Sequence, residues 1–214
     1  MSERQPGADG PTAMNDDGPS PAVAPIGVPL QVLGAVLGAS LAVMMLLRFG
    51  ISWELPAYAY MAALAVALGI IDFKFQLLPN RYVYPGMLLA PLLVGLAAVG
   101  NGTWNAFFTA LLGGAAMFVL YLVMALISPA GIGMGDVKLA LVLGVLLGFH
   151  GWGTWFIGLF AAFLIGGLAG VVLLATGKAK RGSAIPFGPP MLAGALIAVL
   201  WGESLSRALF PYTS

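Results

Sequence analysis

The chain has 214 residues, 60% apolar and only 8% charged, with a formal net charge of +1 and a mean hydropathy of +0.99. A soluble domain carries about a quarter charged and about half apolar residues, so a soluble globular domain is excluded. The small net charge gives no basic surface for nucleic acid. The absence of Cys removes disulfides, thiolate zinc sites and cysteine nucleophiles. With His150 as the single histidine, no multi-histidine metal site and no serine triad can be built.

The first stretch, Met1–Pro25, is rich in Pro, Gly, Asp and Ser and holds Glu3, Asp9, Asp16 and Asp17. It lacks the basic start and apolar core of a signal peptide and reads as a disordered cytoplasmic tail. Residues 26–214 read as one transmembrane domain. Seven apolar runs follow, at about Val28–Leu47, Leu55–Ile71, Tyr82–Val99, Ala106–Ile127, Val137–Phe149, Thr154–Thr176 and Pro190–Arg207. A span needs about 20 residues to cross the hydrocarbon, and backbone groups in lipid must be satisfied within the segment. The expected fold is therefore an all-α, polytopic membrane bundle of six to seven helices, the fifth run being short. Frequent Gly and other small residues allow those helices to pack closely.

The connections Lys74–Arg81 and Lys178–Arg181 carry five of the nine basic residues, Lys74, Arg81, Lys178, Lys180 and Arg181. Lys138 stands beside a third connection on the same side. The positive-inside rule then places the N-terminal tail and the connections after spans two, four and six in the cytoplasm. Seven spans put the C-terminus outside. Trp53, Trp104 and Trp152, near span ends, read as interface anchors, and His150 reads as an external loop residue.

Beyond the tail there are four acids. Glu54 and Glu203 sit at external span ends, where an exposed charge is ordinary. Asp72 follows the unbroken apolar stretch Met61–Ile71, and Asp136 directly precedes Val137–Phe149. An acid at such a depth is expensive, and it is functional or paired. The topology puts both on one side, so they can meet. Lys74 and Lys138 offer the plainer alternative of two local ion pairs.

Asp136 lies in Gly131-Ile-Gly133-Met-Gly135-Asp136-Val-Lys138-Leu. Gly133 and Gly135 permit backbone conformations closed to other residues and close approach of an extended peptide. The plainer reading is a glycine-rich turn with Asp136 as the N-cap of a helix. The spacing does not fit a dinucleotide-binding loop or a P-loop. The second acid opens Asp72-Phe-Lys-Phe-Gln-Leu-Leu-Pro79-Asn80-Arg81, where Pro79 and Asn80 turn the chain between two spans. A third stretch, Ala184-Ile-Pro186-Phe187-Gly188-Pro189, opens the last span, where Pro starts a helix readily.

Together, Asp72 with Pro79-Asn80, Gly133-Met-Gly135-Asp136 with Lys138-Leu139, and Ile185-Pro-Phe-Gly-Pro189 resemble the type IV prepilin peptidase family, including its preflagellin-peptidase relatives. These are membrane aspartic proteases of the Gly-x-Gly-Asp type. The resemblance runs from about Leu55 to Leu200 and rests on the order and placement of the motifs together. It implies that Asp72 and Asp136 are the catalytic pair, and that Gly133, Gly135, Lys138, Pro79 and Asn80 bind substrate or shape the site. It implies cleavage of the short basic leader of a prepilin or pseudopilin at the cytoplasmic face, after a Gly ahead of the substrate's hydrophobic helix. No metal or organic cofactor is implied. The expected partners are a prepilin-like substrate and membrane lipid, with no nucleic acid.

The chain departs from longer bacterial members of that family, which carry a four-cysteine cytoplasmic insert and also N-methylate the new terminus. Here there is no Cys, and only a few residues around Phe49–Glu54 join spans one and two. The expectation is a short-form peptidase without methyltransferase activity, resembling those of Flp/Tad-type pili. For Lys138, a snorkelling interface role competes with tuning of the carboxylates. Two other readings of the acids are a proton or ion translocator, which calls for acids at several depths, and a non-catalytic assembly factor, which calls for loss of one Asp or of its glycines.

Overall fold

The computed structural model describes residues 28–75, 80–127, 132–177 and 187–209. They form seven α-helices: α1 (Val28–Phe49), α2 (Leu55–Phe75), α3 (Asn80–Asn101), α4 (Trp104–Ile127), α5 (Met134–Phe149), α6 (Trp152–Ala175) and α7 (Gly188–Leu209). No strand occurs among the described residues. Each helix begins and ends within about one turn of its expected run. The tail Met1–Pro25, Pro79 and the basic residues Lys178–Arg181 lie outside the described residues.

Six of the helices are long and apolar enough to cross a membrane. The exception is α5, whose 16 residues span about 24 Å at 1.5 Å per residue, short of a hydrocarbon core of about 30 Å. Its apolar character continues around its whole circumference, which is the pattern of a helix enclosed on all sides. From Asp136 to Phe149 it is buried almost without interruption, among α3, α4, α6 and α7. The outer helices instead turn large apolar side chains outward, as Phe160, Leu164, Leu168 and Val171 do along one stripe of α6. The chain is thus a multi-pass membrane bundle with α5 at its centre.

In lipid, apolar side chains gain little from leaving one apolar surface for another, so close backbone approach and interhelical hydrogen bonds hold helices together. The α4–α5 contact shows why glycine is needed. A Cβ on Gly113 would stand 2.8 Å from the Gly144 carbonyl oxygen, and one on Gly144 would stand 2.6 Å from that of Gly113. At Gly148 it would meet the Thr109 oxygen at 2.8 Å. The α6–α7 pair is built alike, with Gly194 against Gly158 and Ala162. Buried donors add directional ties: Trp155 Nε1 donates to the Gly113 carbonyl at 2.9 Å.

The helices alternate in direction, so the bundle has two chemically different ends. At one, Arg48 pairs with Glu203 at 2.9 Å, and Asn101 donates to Glu54 at 3.0 Å. Trp53, Trp104 and Trp152 lie at this end and remain substantially exposed, in keeping with anchors at a membrane interface. His150 is in the turn between α5 and α6, as expected, but it is not an open loop residue. Its ring stacks on Tyr58 at 4.8 Å and on Phe49 at 5.6 Å between centroids. Burial lowers its pKa to about 4, with Arg48 lowering it further and Glu203 opposing, so the ring is neutral. Three aromatic neighbours left room for the imidazole inside, which linear sequence did not reveal.

Candidate functional site

At the opposite end, the close of α2 meets the openings of α5 and α7. Asp72 lies in the last turn of α2 and is 3% exposed; Asp136 lies in the first turn of α5 and is 8% exposed. These are the only described carboxylates that are buried. Two helices, α3 and α4, separate them in the chain, yet the fold brings Asp72 near enough for its charge to act on Asp136.

Asp136 is held by its own helix terminus. Gly133 is the N-cap and Asp136 the N3 residue, and the Gly133 N–H donates to Asp136 Oδ2 at 3.2 Å. This is half of a capping box, with the acid placed where the helix dipole favours negative charge. The expectation that Asp136 itself caps the helix is therefore corrected by three residues. The special conformation expected of Gly133 is also corrected: its φ of −78° and ψ of 155° are ordinary extended values. Neither it nor Gly135 is among the described glycines with positive φ, which are Gly50, Gly102, Gly151 and Gly177. What Gly133 contributes is an exposed, uncrowded backbone, with nothing nearer to a notional Cβ than Asp136 Oδ2 at 3.7 Å.

Asp72 lies against a different terminus. The backbone N–H of Gly188, first residue of α7, faces its carboxylate. Pro189 and Pro190 follow within the first turn and carry no N–H, so Gly188 presents the leading donor of that terminus. The Pro-Phe-Gly-Pro stretch is thereby given a physical role. Asp72 Oδ2 is buried without a hydrogen-bond partner among the described residues, an oxygen left open for a proton, water or a substrate group.

Among the described residues, no ion pair joins Lys138 to Asp136. The Lys138 Nζ is 3.0 Å from the Tyr84 hydroxyl and 4.4 Å from the centre of that ring, a contact joining α5 to α3. The ion pairs among the described residues, Arg48–Glu203 and Arg207–Glu203, are at the other end. Asn80 begins α3, whereas Pro79 lies outside the described residues. No three of His, Cys, Asp and Glu come together as a metal-ligand group among the described residues.

Sequence reading overlooked Tyr121. It sits on the face of α4 that carries Gly113, Gly114 and Met117, is 1% exposed, and packs against Phe163 of α6 and Phe187 ahead of α7. Within the apolar run Ala106–Ile127 only its spacing from those small residues marked it as inward-facing.

The model of the Type IV leader peptidase family matches residues 59–171, more than half the chain and the whole interval containing both buried aspartates. The chain belongs to the type IV leader peptidase family. It is similar to the prepilin leader peptidase/N-methyltransferase of Bacillus subtilis, 33% identical over 159 residues, covering 74% of this chain and 61% of that protein. The protein of the same description from Pseudomonas aeruginosa is 31% identical over 173 residues, covering 77% and 56%. The Stutzerimonas stutzeri protein is 29% identical over 166 residues, covering 77% and 56%. The chain thus spans a little over half the length of these relatives. No solved structure matches it.

Proposed function

We propose that this family member is an aspartic endopeptidase that removes the leader of a type IV prepilin-like substrate, with Asp72 and Asp136 as its catalytic pair. The observation carrying this reading is that the two buried carboxylates, on helices far apart in sequence, come to the same end of the membrane bundle. Two carboxylates so placed cannot both ionise cheaply, so they share a proton and titrate as a unit. The ionised member takes a proton from water as that water attacks the scissile carbonyl. The protonated member donates to the carbonyl oxygen and stabilises the tetrahedral intermediate. The exposed backbone at Gly133 leaves room for an extended peptide alongside Asp136.

The basic connections favour a cytoplasmic position for this end and for the N-terminus, which suits a leader still on the cytoplasmic side. The other described acids, Glu54 and Glu203, stand at the far end, and the intervening helices carry none. That distribution disfavours a proton path and supports local chemistry. The retained Asp pair and its glycines disfavour a non-catalytic assembly factor. The described helices α1 and α2 are joined by Gly50–Glu54 alone, and the chain has no Cys; both support peptidase without N-methyltransferase activity.

The test is co-expression with a candidate prepilin and mass measurement of the mature N-terminus. Wild type should give an unmethylated, leader-free product, and Asp72→Asn and Asp136→Asn should each give none at equal membrane abundance. Normal cleavage by either variant would eliminate the paired-aspartate mechanism.

A further inference from the structure

The α4–α5 packing has a consequence at the carboxylates. The two helices run antiparallel in close register, with Gly113 against Gly144 and Ala110 against Gly148. Two turns onward along α4 from Gly113, and two turns back along α5 from Gly144, Tyr121 comes opposite Asp136. The phenol and the carboxylate are accordingly near enough to interact electrostatically. The ring is fixed by packing at 5.8 Å from Phe163 and 6.0 Å from Phe187, and Phe187 packs in turn on Phe163 at 5.4 Å. Phe187 immediately precedes Gly188, whose N–H faces Asp72. One aromatic wall therefore borders both carboxylates, and Tyr121 is its only member with a proton to donate.

We infer that Tyr121 is a positioning residue of the proposed peptidase, its hydroxyl donating a hydrogen bond to the Asp136 carboxylate in the working site. This rests on the aspartate pair being catalytic. The Tyr121 side chain is enclosed, and a tyrosine so placed commonly hydrogen-bonds through its hydroxyl. Asp136 Oδ2 is engaged by the Gly133 N–H from within α5, whereas a donor from α4 approaches from a different helix and fixes the carboxylate's rotation. The charged group acting on this position is Asp136 from α5; Asp72 from α2 acts in turn on Asp136, and Lys138 of α5 donates to the Tyr84 hydroxyl. A neutral donor is suited to this place, because it orients the pair without neutralising the charge that activates water.

The test compares Tyr121→Phe, Tyr121→Leu and Phe163→Leu with wild type on one prepilin substrate in detergent. Tyr121→Phe keeps the ring and loses only the hydroxyl. It should lower kcat about tenfold with KM unchanged, and move the acidic limb of the pH–rate profile upward, since an ionised carboxylate has lost a donor. Difluorotyrosine at position 121, a stronger donor of the same shape, should move that limb the other way, and it reads the same quantity if the Phe variant fails to fold. Phe163→Leu should reduce stability without shifting the limb. If Tyr121→Phe matches wild type in kcat and pH profile while Tyr121→Leu is impaired, Tyr121 serves packing alone and the inference is overturned. A wild type that cleaves no prepilin would overturn the peptidase reading itself, and this inference with it.

Discussion

The hydroxyl of Tyr58 donates to the backbone carbonyl of Leu146 at 2.9 Å, tying α2 to the last turn of α5. Asp72 and Asp136 ride on these same two helices at the other end, so the bond sets the relative height of the helices bearing both carboxylates. The Leu146 carbonyl is one of the last four of α5, which have no partner within the helix. Tyr58→Phe should leave it unsatisfied in a buried setting and cost about 1–3 kcal/mol. The expected result is a lower unfolding midpoint in detergent with cleavage retained well below it. An unchanged midpoint would show that the bond contributes no net stability.

Glycine at the α4–α5 contact is a matter of space. Gly144→Ala puts a methyl 2.6 Å from the Gly113 oxygen, and the helices must separate at a cost of about 1–3 kcal/mol. Because α5 carries Asp136, cleavage should fall together with the unfolding midpoint. Gly167→Ala is the matched control: nothing lies within 4 Å of its notional Cβ, and alanine favours helix over glycine by about 1 kcal/mol. It should be neutral or slightly stabilising. Equal behaviour of the two variants would contradict the close packing described here.

The Gly133 backbone separates conformation from donor capacity. At φ −78° alanine is unstrained and keeps the N–H, so Gly133→Ala should hold Asp136 as before and retain most activity. Proline tolerates nearly the same φ but removes that N–H, and Gly133→Pro should lose activity several-fold or more. Cleavage rates at matched abundance decide between them. A severe defect in the alanine variant at normal abundance would mean that substrate needs the space over Gly133.

His150 makes stability pH-dependent at the far end. The unfolded chain protonates it near pH 6.5, whereas in the fold burial holds its pKa to about 4. Between these values unfolding takes up a proton, so stability is full above about pH 6.5 and falls as pH drops toward about 4. Glu54, whose pKa burial raises, works in the opposite sense at the same end. The informative measurement is therefore the difference in unfolding midpoint between wild type and His150→Phe at pH 7.5 and pH 5. The phenylalanine variant should gain on wild type at the lower pH; a constant difference would place the imidazole in water.

Much of this protein was legible along the chain. The apolar runs located all seven helices to within about a turn, because in lipid each segment must satisfy its own backbone and no neighbour can rescue a broken one. The chain's few acids made Asp72 and Asp136 conspicuous, since an acid bordering a long apolar run has few structural reasons to be there. The unusual backbone conformation expected at Gly133 is absent, because a glycine's sequence context does not reveal its φ and ψ.

Periodicity alone could not separate helix faces turned to lipid from faces turned to protein, because both are apolar here. Sequence determined the number, length and apolar character of the helices and singled out the two carboxylates. Tertiary structure decided that α5 is enclosed and that Gly188 faces Asp72. It also decided that His150 lies in an aromatic stack and that Tyr121 stands opposite Asp136. Each of those depends on which helix faces meet, and that is set by the close fit of glycines on one helix against the backbone of another.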